Sequence, residues 1–339
     1  MKKLYSILGS SLLVLSLALS GCGGGNKDSG APTGDTGKNL KIGMVTAAGT
    51  VNDNSFNQMT WESLEKFHKD TGAEVQYLQS GSDGDIIPNL TQFVKDKWDL
   101  TFGVSFLMSD HVEKVAKENP DAKVAIIDSV VDLPNVTSIT FKEHEGSYLA
   151  GVAAALSSKT GKIGFMGGVG TPVIKRFEAG FVAGAKAAKP DIKVVSIYTG
   201  AFDKPDLGKS TASTLFNQGV DIVFHAASST GDGLFNEAKD RKAKGEEVWV
   251  IGVDMDQSKI FGTDITLTSM MKRVDEATYR VATDLMNGKF DGGKAVSLGL
   301  KENGVGLAES TNISEDVWKK IEEFKQKIVN GEITVPETV

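Results

Sequence analysis

Apolar runs rich in Val and Ile recur along the chain, and each is followed by a longer segment whose apolar positions return at helical spacing. The first such unit is a predicted strand over 40–48 and a helix over 55–70, with Met59, Leu64 and Phe67 on one side of that helix. Predicted strands follow at 74–78, 100–104 and 123–128, separated by helical segments over 85–97 and 109–118. Strand alternating with helix predicts a parallel sheet with helices on both faces. The pattern then restarts: strands begin near 40, 73, 100 and 123, and again near 162, 193, 221 and 248. Between the two series lie a strand over 136–141 and a helix over 143–156. After residue 253 the chain adds a strand over 266–271, a helix over 272–286, a strand over 296–300 and a last helix over 315–329.

The expected fold class is therefore α/β, with two doubly wound parallel-sheet lobes joined by a hinge that the chain crosses several times. The tail is too small to stand alone, so it is expected to return to each lobe in turn. The first lobe is expected to comprise residues 40–142 plus about 256–294, and the second 143–255 plus about 295–339. Two such lobes enclose a hinged cleft.

The N-terminus changes the picture. Lys2 and Lys3 precede an apolar run over 12–19 that ends in Leu19-Ser20-Gly21-Cys22. This run is too short for a stable span, which needs about 20 apolar residues. The order of charge, apolar core and small residues is that of an export signal, and the last four positions resemble the bacterial lipobox. Residues 1–21 are expected to be removed and Cys22 to carry lipid, although a lone cysteine also occurs as a small buried hydrophobe. Residues 22–39, rich in Gly, Ser, Thr and Asp, are expected to form a flexible tether.

With 339 residues and a formal charge of −7, the chain has room for two domains and argues against nucleic acid as a partner. Its single cysteine leaves no disulfide, paired-cysteine zinc site or thiol nucleophile. His68, His111, His144 and His225 stand singly, without metal-ligand spacing, and no GxSxG elbow is present. Gly164-Phe165-Met166-Gly167-Gly168-Val169-Gly170 lacks the ending of a phosphate loop and reads as a turn before a helix. Asp83 and Asp85 read as a cap for the following helix. No metal or cofactor is expected.

In an open parallel sheet, ligands gather outside the carboxyl ends of the strands. There stand Phe56 and Asn57, Asp128, Phe202, Asp254 and Lys272, drawn from both series. An aromatic from each lobe can enclose a planar ring, a carboxylate can accept from ring N–H groups, and an Asp and Lys pair can bind sugar hydroxyls. A phosphorylated ligand would call for more cations. Each residue also has a plainer reading: the phenylalanines as core, Asp53 or Asn54 as a helix cap, Asp254 with Lys272 as a structural ion pair, and Asp128 as a hinge bond.

Asp53-Asn54-Ser55-Phe56-Asn57, Glu145-Gly146-Ser147-Tyr148-Leu149-Ala150-Gly151, Ile251-Gly252-Val253-Asp254-Met255-Asp256-Gln257 and Thr268-Ser269-Met270-Met271-Lys272 resemble the basic membrane protein family, from about residue 40 to near the C-terminus. The resemblance implies a type I periplasmic-binding-protein fold and a substrate-binding lipoprotein of an ABC importer, the best characterised members being purine-nucleoside receptors. It implies that Phe56 and Phe202 sandwich the base, that Asn57 and Asp128 bind its edge, and that Asp254 and Lys272 hold the ribose. It further implies that Asp53 belongs to the ligand-binding set and that Ala227 and Gly231 bring backbone near the ligand, in a loop where Ser228 and Ser229 depart from the usual glycine-rich pattern.

The expected function is membrane-anchored capture of a nucleoside, a purine nucleoside first, by a monomer on the extracytoplasmic side. Its partners are then the permease and ATPase of an importer, and the membrane through Cys22. The alternatives are a receptor for another small metabolite such as a sugar, an extracellular nucleoside hydrolase, and a surface interaction protein. A sugar-responsive repressor is excluded by the export signal and by the lack of a basic headpiece.

Overall fold

Twelve strands build two six-stranded sheets in the computed structural model, which describes residues 39–47 and 49–339. The expected export signal, Cys22 and the expected tether up to residue 38 lie outside the described residues. The first sheet contains β1 (Lys41–Thr46), β2 (Glu74–Gln79), β3 (Leu100–Val104), β4 (Val124–Ile127), β5 (Val136–Phe141) and β11 (Lys294–Leu298), in the order β11-β5-β4-β3-β1-β2. The second contains β6 (Lys162–Gly167), β7 (Lys193–Tyr198), β8 (Ile222–Ala226), β9 (Trp249–Asp254), β10 (Thr266–Lys272) and β12 (Val305–Leu307), in the order β12-β10-β9-β8-β6-β7. Every pairing is parallel except the antiparallel contact of β10 with β12. The central strands β3 and β4, reading LTFGV and VAII, are buried at every position because helices cover both faces. The edge strand β2, EVQYLQ, keeps partial exposure throughout.

Among the described residues ten α-helices complete the layers: α1 (Phe56–Thr71), α2 (Asp83–Lys95), α3 (Ser109–Glu118), α4 (Glu143–Ser157), α5 (Pro172–Ala188), α6 (Pro205–Asn217), α7 (Asp232–Ala243), the single turn α8 (Ser258–Phe261), α9 (Val274–Met286) and α10 (Glu315–Val329). Local chemistry explains several starts. The Asp85 carboxylate accepts from the Ser82 backbone N–H at 2.8 Å, so Ser82 and Asp85 cap α2, while Asp83 meets His111 Nε2 at 3.3 Å instead. Pro172 and Pro205 open α5 and α6, where the missing N–H costs nothing. Small residues let α4 and α5 nearly touch: a Cβ on Gly180 would stand 2.0 Å from the His144 carbonyl oxygen, and one on Gly184 would stand 1.9 Å from that of Tyr148.

Three crossings join the two sheets, after β5, after β10 and between β11 and β12. They are tied to one another. The Lys142 N–H donates to the Leu298 carbonyl at 2.9 Å, and Arg273 N–H to that of Gly304 at 2.9 Å. The Glu145 carboxylate accepts from the Leu300 N–H at 2.8 Å. Multiple crossings match the expectation, but the boundaries near 256 and 295 do not match the sheet membership. Residues 266–272 pair with β9 in the second sheet and only α9 returns to pack on α1, while β11 joins the first sheet beside β5. The short α8 connection brings β10 back beside β9, which keeps it in the sheet it has just left.

Candidate functional site

The carboxyl ends of both sheets face one cleft, with an empty volume of about 650 Å³ that includes open solvent. From the first half it is lined by Asp53, Phe56 and Asn57 after β1, by Ser105, Phe106 and Leu107 after β3, and by Asp128 after β4. The second half supplies Phe202 after β7, Ala227 and Ser228 after β8, Asp254 at the end of β9 and Lys272 at the end of β10. Val173, Ile174 and Phe177 on α5 close the apolar floor. Of the nine expected ligand-binding residues, eight line this cleft. Gly231 does not: it sits against the ring of His225, where a Cβ would stand 2.1 Å from the imidazole.

Lys272 is the best-buried cation of the site, only 1% exposed. Its Nζ lies 2.5 Å from Asp128 Oδ2 and 3.3 Å from Glu143 Oε1. The rings of Phe56, Phe141 and Phe177 stand 5.1, 5.1 and 5.6 Å from the same ammonium. Glu143 is held from its other side by Arg176 Nε at 2.9 Å. The chain Asp128, Lys272, Glu143, Arg176 therefore anchors the site beside the crossings. Burial pushes the Asp128 carboxyl up to about 6 against the pull of Lys272. For Lys272, burial works to lower its pKa, yet Asp128, Glu143 and Asp254 outweigh it and hold the ammonium above its ordinary value.

The plainer reading of Asp254 and Lys272 as a structural ion pair is thus corrected. Lys272 pairs with Asp128, while Asp254 accepts a hydrogen bond from Ser55 Oγ across the cleft. Burial raises the Asp254 pKa despite the nearby lysine. Both aspartates have φ in the left-handed region, 69° for Asp128 and 66° for Asp254, a backbone cost that surrounding structure must hold in place.

Asp53 is both site wall and cap. Its carboxylate accepts from the N–H groups of Ser55, Asn57 and Gln58 at 3.0 to 3.1 Å, fixing the start of α1 and so the direction of Phe56 and Asn57. Ser228 Oγ reaches the same carboxylate from the other half at 3.1 Å. Phe202 meets Phe106 edge-on across the cleft, with centroids 6.2 Å apart.

Phe106, Phe177, Glu143 and Arg176 were not singled out from the sequence. Phe177 follows Ile174 at helical spacing and so reads as core, and Glu143 reads as an ordinary acid in a first helical turn. Phe106 stands two residues beyond the end of β3, and that place at a strand end is the sequence signal that marks it. Among the described residues no group of three or more His, Cys, Asp or Glu is placed to hold a metal ion, and no helix is long and apolar enough to cross a membrane.

Known proteins share both the sequence and the architecture. The CD4+ T-cell-stimulating antigen of Listeria innocua serovar 6a is 44% identical over 353 residues, covering 99% of each chain. The ABC transporter nucleoside-binding protein BmpA of Lactococcus lactis subsp. cremoris is 38% identical over 352 residues, again with 99% of each chain covered. A solved ABC transporter system solute-binding protein from Aeropyrum pernix K1 superposes with a TM-score of 0.82 at 31% identity, covering 88% of this chain and 94% of that one. The architecture is that of type I periplasmic binding proteins. The family described as ABC transporter substrate-binding protein PnrA-like (Bmp) matches residues 40–339. With its twin sheets, its shared cleft and that match, the chain belongs to the Bmp family of ABC transporter substrate-binding proteins.

Proposed function

We propose that this substrate-binding protein captures nucleosides, purine nucleosides first, and delivers them to an ABC permease and its ATPase. The observation that carries the reading is the makeup of the cleft: phenylalanines from both halves, Phe56, Phe106 and Phe202, stand beside Asn57 and the buried Asp128, Asp254 and Lys272. Aromatic faces suit a planar base, and buried carboxylates with an ammonium suit ribose hydroxyls and ring N–H groups. The name of the Lactococcus relative points the same way. Asp53, Asp128 and Asp254 disfavour a phosphate at this mouth, so the free nucleoside is the favoured form. Ala227 contributes backbone at the cleft wall, whereas Gly231 acts from behind it by making room for His225.

Lipid on Cys22 would keep the receptor at the extracytoplasmic face of the cell membrane, where the tether raises its concentration near the permease. The two halves close over the ligand because each holds part of its contacts.

Calorimetry and thermal shift with inosine, adenosine, cytidine, ribose and adenosine monophosphate test the assignment. Inosine and adenosine are expected to bind and to raise the melting temperature, with ribose and the monophosphate without effect. Chromatography after incubation with inosine should return the nucleoside intact. Binding of ribose alone would favour a sugar receptor, and release of free base would favour a hydrolase.

A further inference from the structure

The loop between β1 and α1 bridges the two halves at a point outside the cleft lining. Asn54 Nδ2 donates to Asp232 Oδ2 at 3.2 Å, and the Asn54 carbonyl accepts from Gln257 Nε2 at 3.0 Å. Asn54 follows β1 of the first sheet, whereas Asp232 opens α7 and Gln257 follows β9 of the second. None of the three lines the cleft.

Gln257 is fixed before it reaches across. It is fully buried, and its Oε1 accepts from the Val253 N–H at 3.0 Å and meets His225 Nε2 at 2.9 Å. A backbone donor on one side and a backbone acceptor on the other define which end of the amide is oxygen. His225 must then carry its proton on Nε2. The side chain is a preset donor aimed at Asn54. Asn54 itself has φ 53°, a left-handed conformation that short polar residues tolerate, and this turns its carbonyl and its amide to the other half together. The second oxygen of Asp232, Oδ1, is buried without a partner, and burial pushes that carboxyl up to about 6.

We propose that Asn54, anchored by Asp232 and Gln257, is a ligand-independent latch between the halves: three positioning residues that set affinity and release without touching the ligand. No ligand atom is needed for either bond. A closed fraction that pre-exists raises apparent affinity in proportion to its population. The proposal rests on the reading of the chain as a nucleoside receptor that closes, and the test separates the two.

Asn54→Gly keeps the left-handed backbone and the carbonyl that Gln257 uses, and removes only the amide that meets Asp232. Asp232→Ala removes the other partner. The full chain and these two variants, with their double variant, are compared by inosine affinity, dissociation rate and small-angle scattering without ligand. Each single variant is expected to bind inosine about 5- to 20-fold more weakly, mainly through faster dissociation. The double variant is expected to be no weaker than the weaker single one, because both remove the same bond. The ligand-free variants should be more extended than the parent, and the preference among inosine, adenosine and cytidine should not change. Fully additive losses, a changed preference order, or unchanged ligand-free dimensions would each overturn the latch. If the parent binds no nucleoside, the receptor reading fails, while scattering on the ligand-free chains still decides the latch.

Discussion

Asp128 and Asp254 hold the same place in the two halves. The strand order of the second sheet is that of the first with each of β1 to β5 replaced by the strand five later, so β4 corresponds to β9 and β5 to β10. Each aspartate follows or ends the equivalent buried strand with φ near 70°. Their partners differ: Asp128 meets Lys272, and Asp254 meets Ser55. One step further, the strand registers set Phe141 of the first half against Lys272 of the second, and the Phe141 ring packs 5.1 Å from that ammonium. Repetition supplies the frame, and side chains at matched positions supply the asymmetry that a ligand with two unlike ends requires.

A second matched pair inverts a packing contact. His225 on β8 corresponds to Gly103 on β3. In the first half the strand position is empty and Val112 fills it from α3, within 2.7 Å of where a Cβ would stand. In the second half the strand carries the ring, and Gly231, immediately before α7, makes room. The same volume is filled from opposite sides, and only the second arrangement buries a titratable group.

The sharpest break in this symmetry is expected at Lys272. Lys272→Met leaves Asp128 buried without its cation and Glu143 with Arg176 alone, and should cost about 3–5 kcal/mol in urea denaturation, whereas Phe141→Met at the matched position should cost about 1 kcal/mol. The His225 contrast comes next. Burial pushes His225 down to about 4 from an ordinary 6.5, so between those values the unfolded chain binds more protons and stability falls as pH falls. His225→Gln should remove about 3 kcal/mol of the acid sensitivity between pH 7 and pH 4, read as the difference between parent and variant. The raised carboxyls of Asp128 and Asp232 act in the opposite sense and cancel in that difference.

Phe202→Ala tests the aromatic contribution of the second half. Inosine affinity should fall about 10- to 100-fold with little change in the urea midpoint, since one face of the ring is left to the cleft. Ser55→Ala should have the smallest effect, about 1–2 kcal/mol of stability, because Asp254 loses one hydrogen bond while Lys272 stays nearby. If it proved as costly as Lys272→Met, the two aspartates would be equivalent after all.

The rhythm of strand and helix is legible because β3, β4, β8 and β9 are short runs dominated by apolar residues, and the strand ends then mark the cleft. Sheet membership was not, since the sequence of β10 says that it is a strand and not which neighbour it pairs with. Lys272 was visible as a polar residue at a strand end, yet its choice of Asp128 over Asp254 depends on the relative placement of two strands from different sheets. Asn54, Asp232 and Gln257 carry the residue types of any cap or turn. Their meeting depends on how the two halves are set against each other and leaves no periodic trace.

The three tied crossings also govern how the chain can fold as it is made. The first sheet takes its outer strand, β11, from residues 294–298, more than 150 residues after β5. Residues 40–142 alone therefore leave the β5 edge uncovered, and the matching helix α9 is missing as well. A chain extended from its N-terminus carries an unfinished first half until residue 298 is available, so neither half matures ahead of the other.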